Sequence, residues 1–183
     1  MPLDPEIIHT DVLDGYRNKV EFTVGRMHAP AREGVDELWN PEGPICVGFN
    51  RGNLGKGISF VEKPDNIRVI SAESIRVAKQ FEEILQECPA ELEPFNKATG
   101  KGFWRILLYR ESKMTRQVTI TVVVSKATES NPVPEIGEEI KQKIIDTFPE
   151  NYFGDEQNSL KIVSLSVIVA DDLSGAYQEG DEW

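Results

Sequence analysis

The sequence predicts an α+β domain with a mostly antiparallel sheet and two helices on one face. Three observations lead there. Short segments alternate strictly between apolar and polar residues, as at Val20, Phe22 and Val24; two longer segments repeat apolar residues at helical spacing; and N-terminal hairpin strands precede a β-α-β-β-α-β order from Ile58 onward. That order suits a split-βαβ sheet.

Residues 1–14 are acidic, contain proline and read as a loosely held arm. Gly15 opens the first clear element, in which Val20, Phe22 and Val24 face the core and Lys19, Glu21 and Thr23 face away. Pro30, Gly34, Pro41, Gly43 and Pro44 mark residues 27–44 as a long excursion. Strands follow at Ile45–Phe49 and Ile58–Val61, joined by a hairpin rich in glycine at 52, 55 and 57. Ser71 is placed to cap a helix reaching about Glu87, with Ile75, Ala78, Phe81, Leu85 and Cys88 as its apolar stripe and Pro89 as its stop. Two strands, Phe103–Glu111 and Gln117–Lys126, are joined by the turn Ser112-Lys113-Met114-Thr115. A second helix is expected from near Pro134, its first turns rich in glutamate and its stripe formed by Ile136, Ile140, Ile144 and Phe148. Leu160 to Val169 closes the sheet, giving one domain over residues 15–170 and an acidic linker over 171–183.

The 183 residues suffice for a single core. With no apolar run near membrane-spanning length and no secretory signal in the first residues, the expectation is an intracellular chain without membrane contact, cytoplasmic or nuclear, with an organelle also compatible. Net charge is −11, from 31 acidic and 20 basic residues. Such a balance opposes non-specific binding of nucleic acid, which requires phosphates to be neutralised. It leaves room for a local basic strip, and Arg17, Lys19, Arg105 and Arg110 all fall in strand-like segments. The two cysteines, Cys46 and Cys88, read as small buried hydrophobes. His9 and His28 have no companions at ligand spacing, so no metal is expected.

Enzyme signatures are absent. No glycine-rich turn lies between a strand and a helix to hold a dinucleotide or S-adenosylmethionine, and no serine or cysteine has an evident activating base.

Several segments in order carry a resemblance. Gly15-Tyr16-Arg17-Asn18-Lys19-Val20-Glu21-Phe22-Thr23-Val24-Gly25 resembles the opening of the central domain of TrmA/RumA-type RNA (uracil-C5) methyltransferases, in particular their eukaryotic tRNA (uracil-5-)-methyltransferase branch. Val47-Gly48-Phe49, Phe60-Val61, Phe81-Glu82-Glu83 and Gly102-Phe103-Trp104-Arg105-Ile106-Leu107-Leu108-Tyr109-Arg110 follow in the family's order, so the likeness covers roughly residues 15–126. It implies a parent enzyme whose separate domain binds S-adenosylmethionine and supplies a cysteine nucleophile and a glutamate base. The segments that carry those groups are missing here. The expected chain therefore holds no cofactor, is inactive by itself, and works beside a catalytic domain of the same protein.

The resemblance also implies RNA contact, with tRNA as the expected partner, bound weakly by this chain alone. Tyr16 and Trp104 would stack on bases, while Arg17, Lys19, Arg105 and Arg110 would meet phosphates or base edges, with Arg51 and Lys56 as possible loop contacts. Each has a plainer reading. Trp104 equally suits the core, Arg17 and Lys19 equally suit ion pairs with Glu21 or its neighbours, and Arg51 and Lys56 are ordinary loop charges. Strand alternation places Trp104 with Ile106, Leu108 and Arg110 on one face, and Arg105 with Leu107 and Tyr109 on the other. A different reading of the whole chain is an acidic protein-interaction or scaffold domain that does not bind RNA. Nothing in the sequence specifies an oligomeric state.

Overall fold

A computed structural model describes residues 12–27, 43–51, 60–97, 99–154 and 159–170. Its elements are β1 (Lys19–Arg26), β2 (Ile45–Asn50), β3 (Val61–Glu62), α1 (Ala72–Gln86), β4 (Trp104–Ser112), β5 (Gln117–Ser125), α2 (Glu138–Thr147) and β6 (Lys161–Ala170). The strands form one six-stranded sheet in the order β3-β2-β1-β4-β5-β6. Every neighbouring pair is antiparallel except β5 and β6. This is the expected α+β class. The split arrangement is not adopted: no strand lies between β5 and β6, so β5-α2-β6 is a direct parallel crossover.

Alternation along the strands decides what each face does. Val20 pairs with Tyr109, Phe22 with Leu107 and Val24 with Val47. Across the next ladder Leu107 meets Val122 and Tyr109 meets Ile120. All are buried and share one core with Val77, Ala78, Phe81, Ile84 and Leu85 of α1 and Ile144 of α2, so both helices cover the same face.

Helix α1 begins as expected: the Ser71 side chain accepts a hydrogen bond from the Ser74 amide, satisfying one of the free N–H groups of the first turn. Its buried stripe is turned from the expected one, with Val77 and Ile84 in the core and Ile75 and Cys88 only at its margin. Helix α2 starts later than expected, after Gly137, while Val133 and Ile136 pack against the core from the non-helical segment before it. The hairpin between β2 and β3 and the excursion over 28–42 lie outside the described residues.

Candidate nucleic-acid interface

The second face of the sheet has no helix on it among the described residues. Its side chains come in rows set by the register. One row runs Lys19, Arg110, Thr119, Ser164 across β1, β4, β5 and β6; the next runs Glu21, Leu108, Thr121, Ser166. Lys19 and Arg110 are direct cross-strand partners. Like charges so placed destabilise a sheet. The Lys19 ammonium is relieved by Glu21 at 2.6 Å. The Arg110 guanidinium is exposed and has no hydrogen bond or ion pair among the described residues.

Arg17 lies beside this row. Its Nε donates to the Lys19 carbonyl at 3.0 Å, which fixes the side chain while its terminal nitrogens remain unpartnered among the described residues. The segment that carries it is firmly held. Gly15 turns the chain at a φ of +59°, a conformation costly for other residues. Its amide donates to the Arg68 carbonyl at 2.7 Å, the Arg17 amide donates to Val69 at 2.9 Å, and Lys113 Nζ donates to the Gly15 carbonyl at 2.6 Å. Tyr16, between them, is 57% exposed. Asp14 also pairs with Arg68 at 2.8 Å, so the last residue of the expected arm is tied to the domain.

Below this segment sits a buried acid. One carboxylate oxygen of Glu111 accepts hydrogen bonds from Tyr109 Oη at 2.7 Å and Ser71 Oγ at 2.8 Å. Lys113 Nζ stands 3.8 Å from its other oxygen. Burial, and next the Glu111 carboxylate, hold the Tyr109 hydroxyl far above its usual pKa, so it stays a donor. Lys113 thus links the buried acid to the Gly15–Arg17 turn. Local sequence carries no signal for this link, which depends on the antiparallel pairing of β1 with β4 that brings the β4–β5 turn near the start of β1.

Two expected site residues lie elsewhere. The β4–β5 register shifts between Trp104 and Ile106, so Arg105 is an extra residue that reverses the alternation. Trp104 therefore shares the helix-covered face with Leu107 and Tyr109, 0% exposed, edge-on to both Phe81 and Phe103. Of its two readings, the core one describes its packing. Arg105 is 4% exposed, its guanidinium 4.6 Å from the centre of the Phe95 ring, so it too is not on the open face. Arg51 is exposed and paired with Glu62 at 3.2 Å, whereas Lys56 lies outside the described residues.

Neither cysteine is activated. Burial and then the nearby Glu82 carboxylate push the Cys46 thiol up to about 12, and burial raises Cys88 as well. Glu82 also accepts the Val47 amide at 3.0 Å and pairs with Lys63 at 3.2 Å, covering the β2 edge where β3 does not reach. Among the described residues no group of three His, Cys, Asp or Glu side chains is placed to hold a metal, and no helix is long and apolar enough to cross a membrane. His9 and His28 lie outside those residues. Acidic side chains collect instead between the helices, where Glu87, Glu91, Glu135, Glu138 and Glu139 line a groove with Lys143 paired to Glu87.

Comparison with known proteins gives distant similarities. The chain is 30% identical over 115 residues to the tRNA (uracil-5-)-methyltransferase homolog B of Homo sapiens and to that of Pongo abelii, a stretch covering 62% of this chain. Over 180 residues, 92% of the chain, it is 24% identical to the zinc finger CCCH domain-containing protein 24 of Arabidopsis thaliana. The chain spans about a fifth of the length of each of these curated relatives. No family model matches it.

Proposed function

We propose that this chain is the RNA-contacting central domain of an S-adenosylmethionine-dependent RNA (uracil-C5) methyltransferase, and that it positions tRNA for a catalytic domain elsewhere in the same protein. The observation that carries the reading is the opposition of Lys19 and Arg110 on the uncovered sheet face, with Arg17 beside them. Of these three cations only Lys19 has a carboxylate partner among the described residues, and a phosphate between them would offset the like-charge cost that remains. The hydroxyls of Thr119 and Ser164 extend the same row and offer further hydrogen bonds to a sugar–phosphate backbone. Exposed Tyr16 offers a ring for an unpaired base. The similarity to two tRNA (uracil-5-)-methyltransferase homologues supports the choice of RNA and of reaction.

In this reading S-adenosylmethionine, bound by the catalytic domain, supplies the methyl group, and the residues of this chain only bind and orient. Binding of unmodified tRNA, measured against salt, tests it. Removing one phosphate-binding cation should lower the log–log salt slope by about 0.7–0.9. Arg17→Ala and Arg110→Ala should each weaken binding with such a change of slope, and calorimetry should detect no S-adenosylmethionine binding by the chain. Unchanged tRNA affinity in both variants would end the RNA reading. The acidic groove between α1 and α2 is what favours the other one, an interaction domain for a basic protein segment.

A further inference from the structure

Strands β1 and β4 part company halfway along the sheet. Their pairing runs from Lys19↔Arg110 to Thr23↔Ile106 and then stops. Beyond it the segment 93–96 enters the fork and takes β1's place beside β4: the amides of Phe103 and Trp104 donate to the Glu93 carbonyl, and the Phe95 amide donates to the Trp104 carbonyl at 2.7 Å. The Arg105 bulge makes this possible, because it displaces the start of β4 from the plain ladder. A cavity of about 250 Å³ remains in the fork, lined on one side by Thr23 to Arg26 and on the other by Phe95, Asn96 and Lys101.

The walls of this cavity are tied together by packed and paired side chains. Phe95 is buried, and the Arg105 guanidinium packs against its ring. Glu93 grips Arg26 through both carboxylate oxygens, at 2.6 and 2.7 Å, tying the inserted segment to β1. Asn131 both donates to and accepts from the Gly102 backbone at 3.0 and 2.9 Å. Against these paired groups the Lys101 ammonium stands out: it is exposed at the rim and has no ion pair or hydrogen bond among the described residues.

We propose that this fork is a nucleotide subsite, which receives one unpaired RNA base with its phosphate on Lys101. The inference rests on the RNA reading of the chain. The volume falls just below the roughly 300–1,000 Å³ of pockets that hold larger ligands, which suits a single base. Phe95 and Val61 give the fork apolar walls, and the Thr23 hydroxyl provides a polar group of the kind that reads base edges, beside Asn96, whose Oδ1 accepts from the Thr99 amide at 3.3 Å. Among the described residues one unpaired cation, Lys101, stands at the rim, matching one phosphate. Along β1 the fork lies about 20 Å from the Lys19–Arg110 row at ~3.3 Å per residue. A short single strand running along β1 would reach both.

Amide chemical-shift mapping of the 183-residue chain tests the proposal. Uridine and adenosine 5′-monophosphates are titrated separately, with ribose 5-phosphate as the control. Saturable shifts at Gly25, Asn96 and Gly102 are expected for at least one nucleotide and not for the sugar phosphate. Lys101→Glu should weaken them at least tenfold while leaving the rest of the spectrum in place. Absence of saturable shifts at those amides, or equal shifts with ribose 5-phosphate, overturns the subsite. Mapping with unmodified tRNA separates this failure from that of the parent reading. Shifts around Lys19 and Arg110 alone would keep the RNA reading and remove the subsite, and shifts at neither would remove both.

Discussion

Gly48 lies so close to Glu62 that a Cβ added to it would stand 1.9 Å from the Glu62 carbonyl oxygen. The requirement concerns space between strands, since any side chain there would push β3 off β2. Gly48→Ala should therefore destabilise the domain by about 1–3 kcal/mol, as overpacking does. β3 is two residues long, so its pairing should break first. Hydrogen exchange at Phe49 and Glu62 should accelerate well before exchange in β4 and β5 does. Uniform acceleration across the sheet would refute this order.

The Lys19–Arg110 opposition makes a stability prediction that separates function from fold. Replacing Arg110 by threonine removes a like-charge contact and adds a residue suited to strands. The thermal midpoint should stay the same or rise, by the equivalent of about 0.2–1 kcal/mol. A marked drop in stability would mean that Arg110 is structural.

Trp104→Ala should cost about 3–5 kcal/mol in denaturant unfolding, the change expected for a large aromatic removed from a core. A cost under about 1 kcal/mol would contradict its packing against Phe81 and Phe103.

Cys46 predicts the behaviour at high pH. In the folded protein its thiol is pushed up to about 12 from an ordinary 9.0, so between those values the unfolded chain loses a proton that the folded chain keeps. Folding stability must then fall as pH rises through this range, by up to ~1.4 kcal/mol per unit from this group. Tyr109, also raised, acts in the same direction. Cys46→Ala should flatten the alkaline limb of a stability–pH profile measured by urea unfolding. An identical slope in the variant would show that the thiol is not linked to folding.

Much of this architecture is legible in the chain. Alternation at Val20, Phe22 and Val24 sets the orientation of β1, and Ser71 before an apolar helical repeat marks the start of α1. The helix-covered face and the basic residues of β1 follow directly. What local pattern does not reveal comes from interactions between distant segments. The extra residue at Arg105 leaves no local mark, because any strand of mixed apolar and basic residues tolerates one shift of parity; only pairing with β5 and the entry of residues 93–96 reveals it. That single shift sends Trp104 to the face opposite the one plain alternation assigns it and leaves Arg105 packed on the Phe95 ring, off the open face. Likewise, Val133 and Ile136 find the core without helical geometry, which moves the start of α2 past its expected position.

The parallel joining of β5 to β6 has a consequence for how the chain assembles. The β4–β5 hairpin closes through a short turn, whereas β6 aligns Gln117 with Lys161 and must wait for α2 and the segment after it. Pairings of such long sequence separation form slowly, since loop entropy is given up before the pairing compensates for it. β6 should thus dock on β5 only after the β4–β5 hairpin has closed. Until it does, β5, with its run Val122-Val123-Val124, is an unprotected edge of high β propensity. The nascent chain is most exposed to aggregation in that interval, and α2 governs how long it lasts.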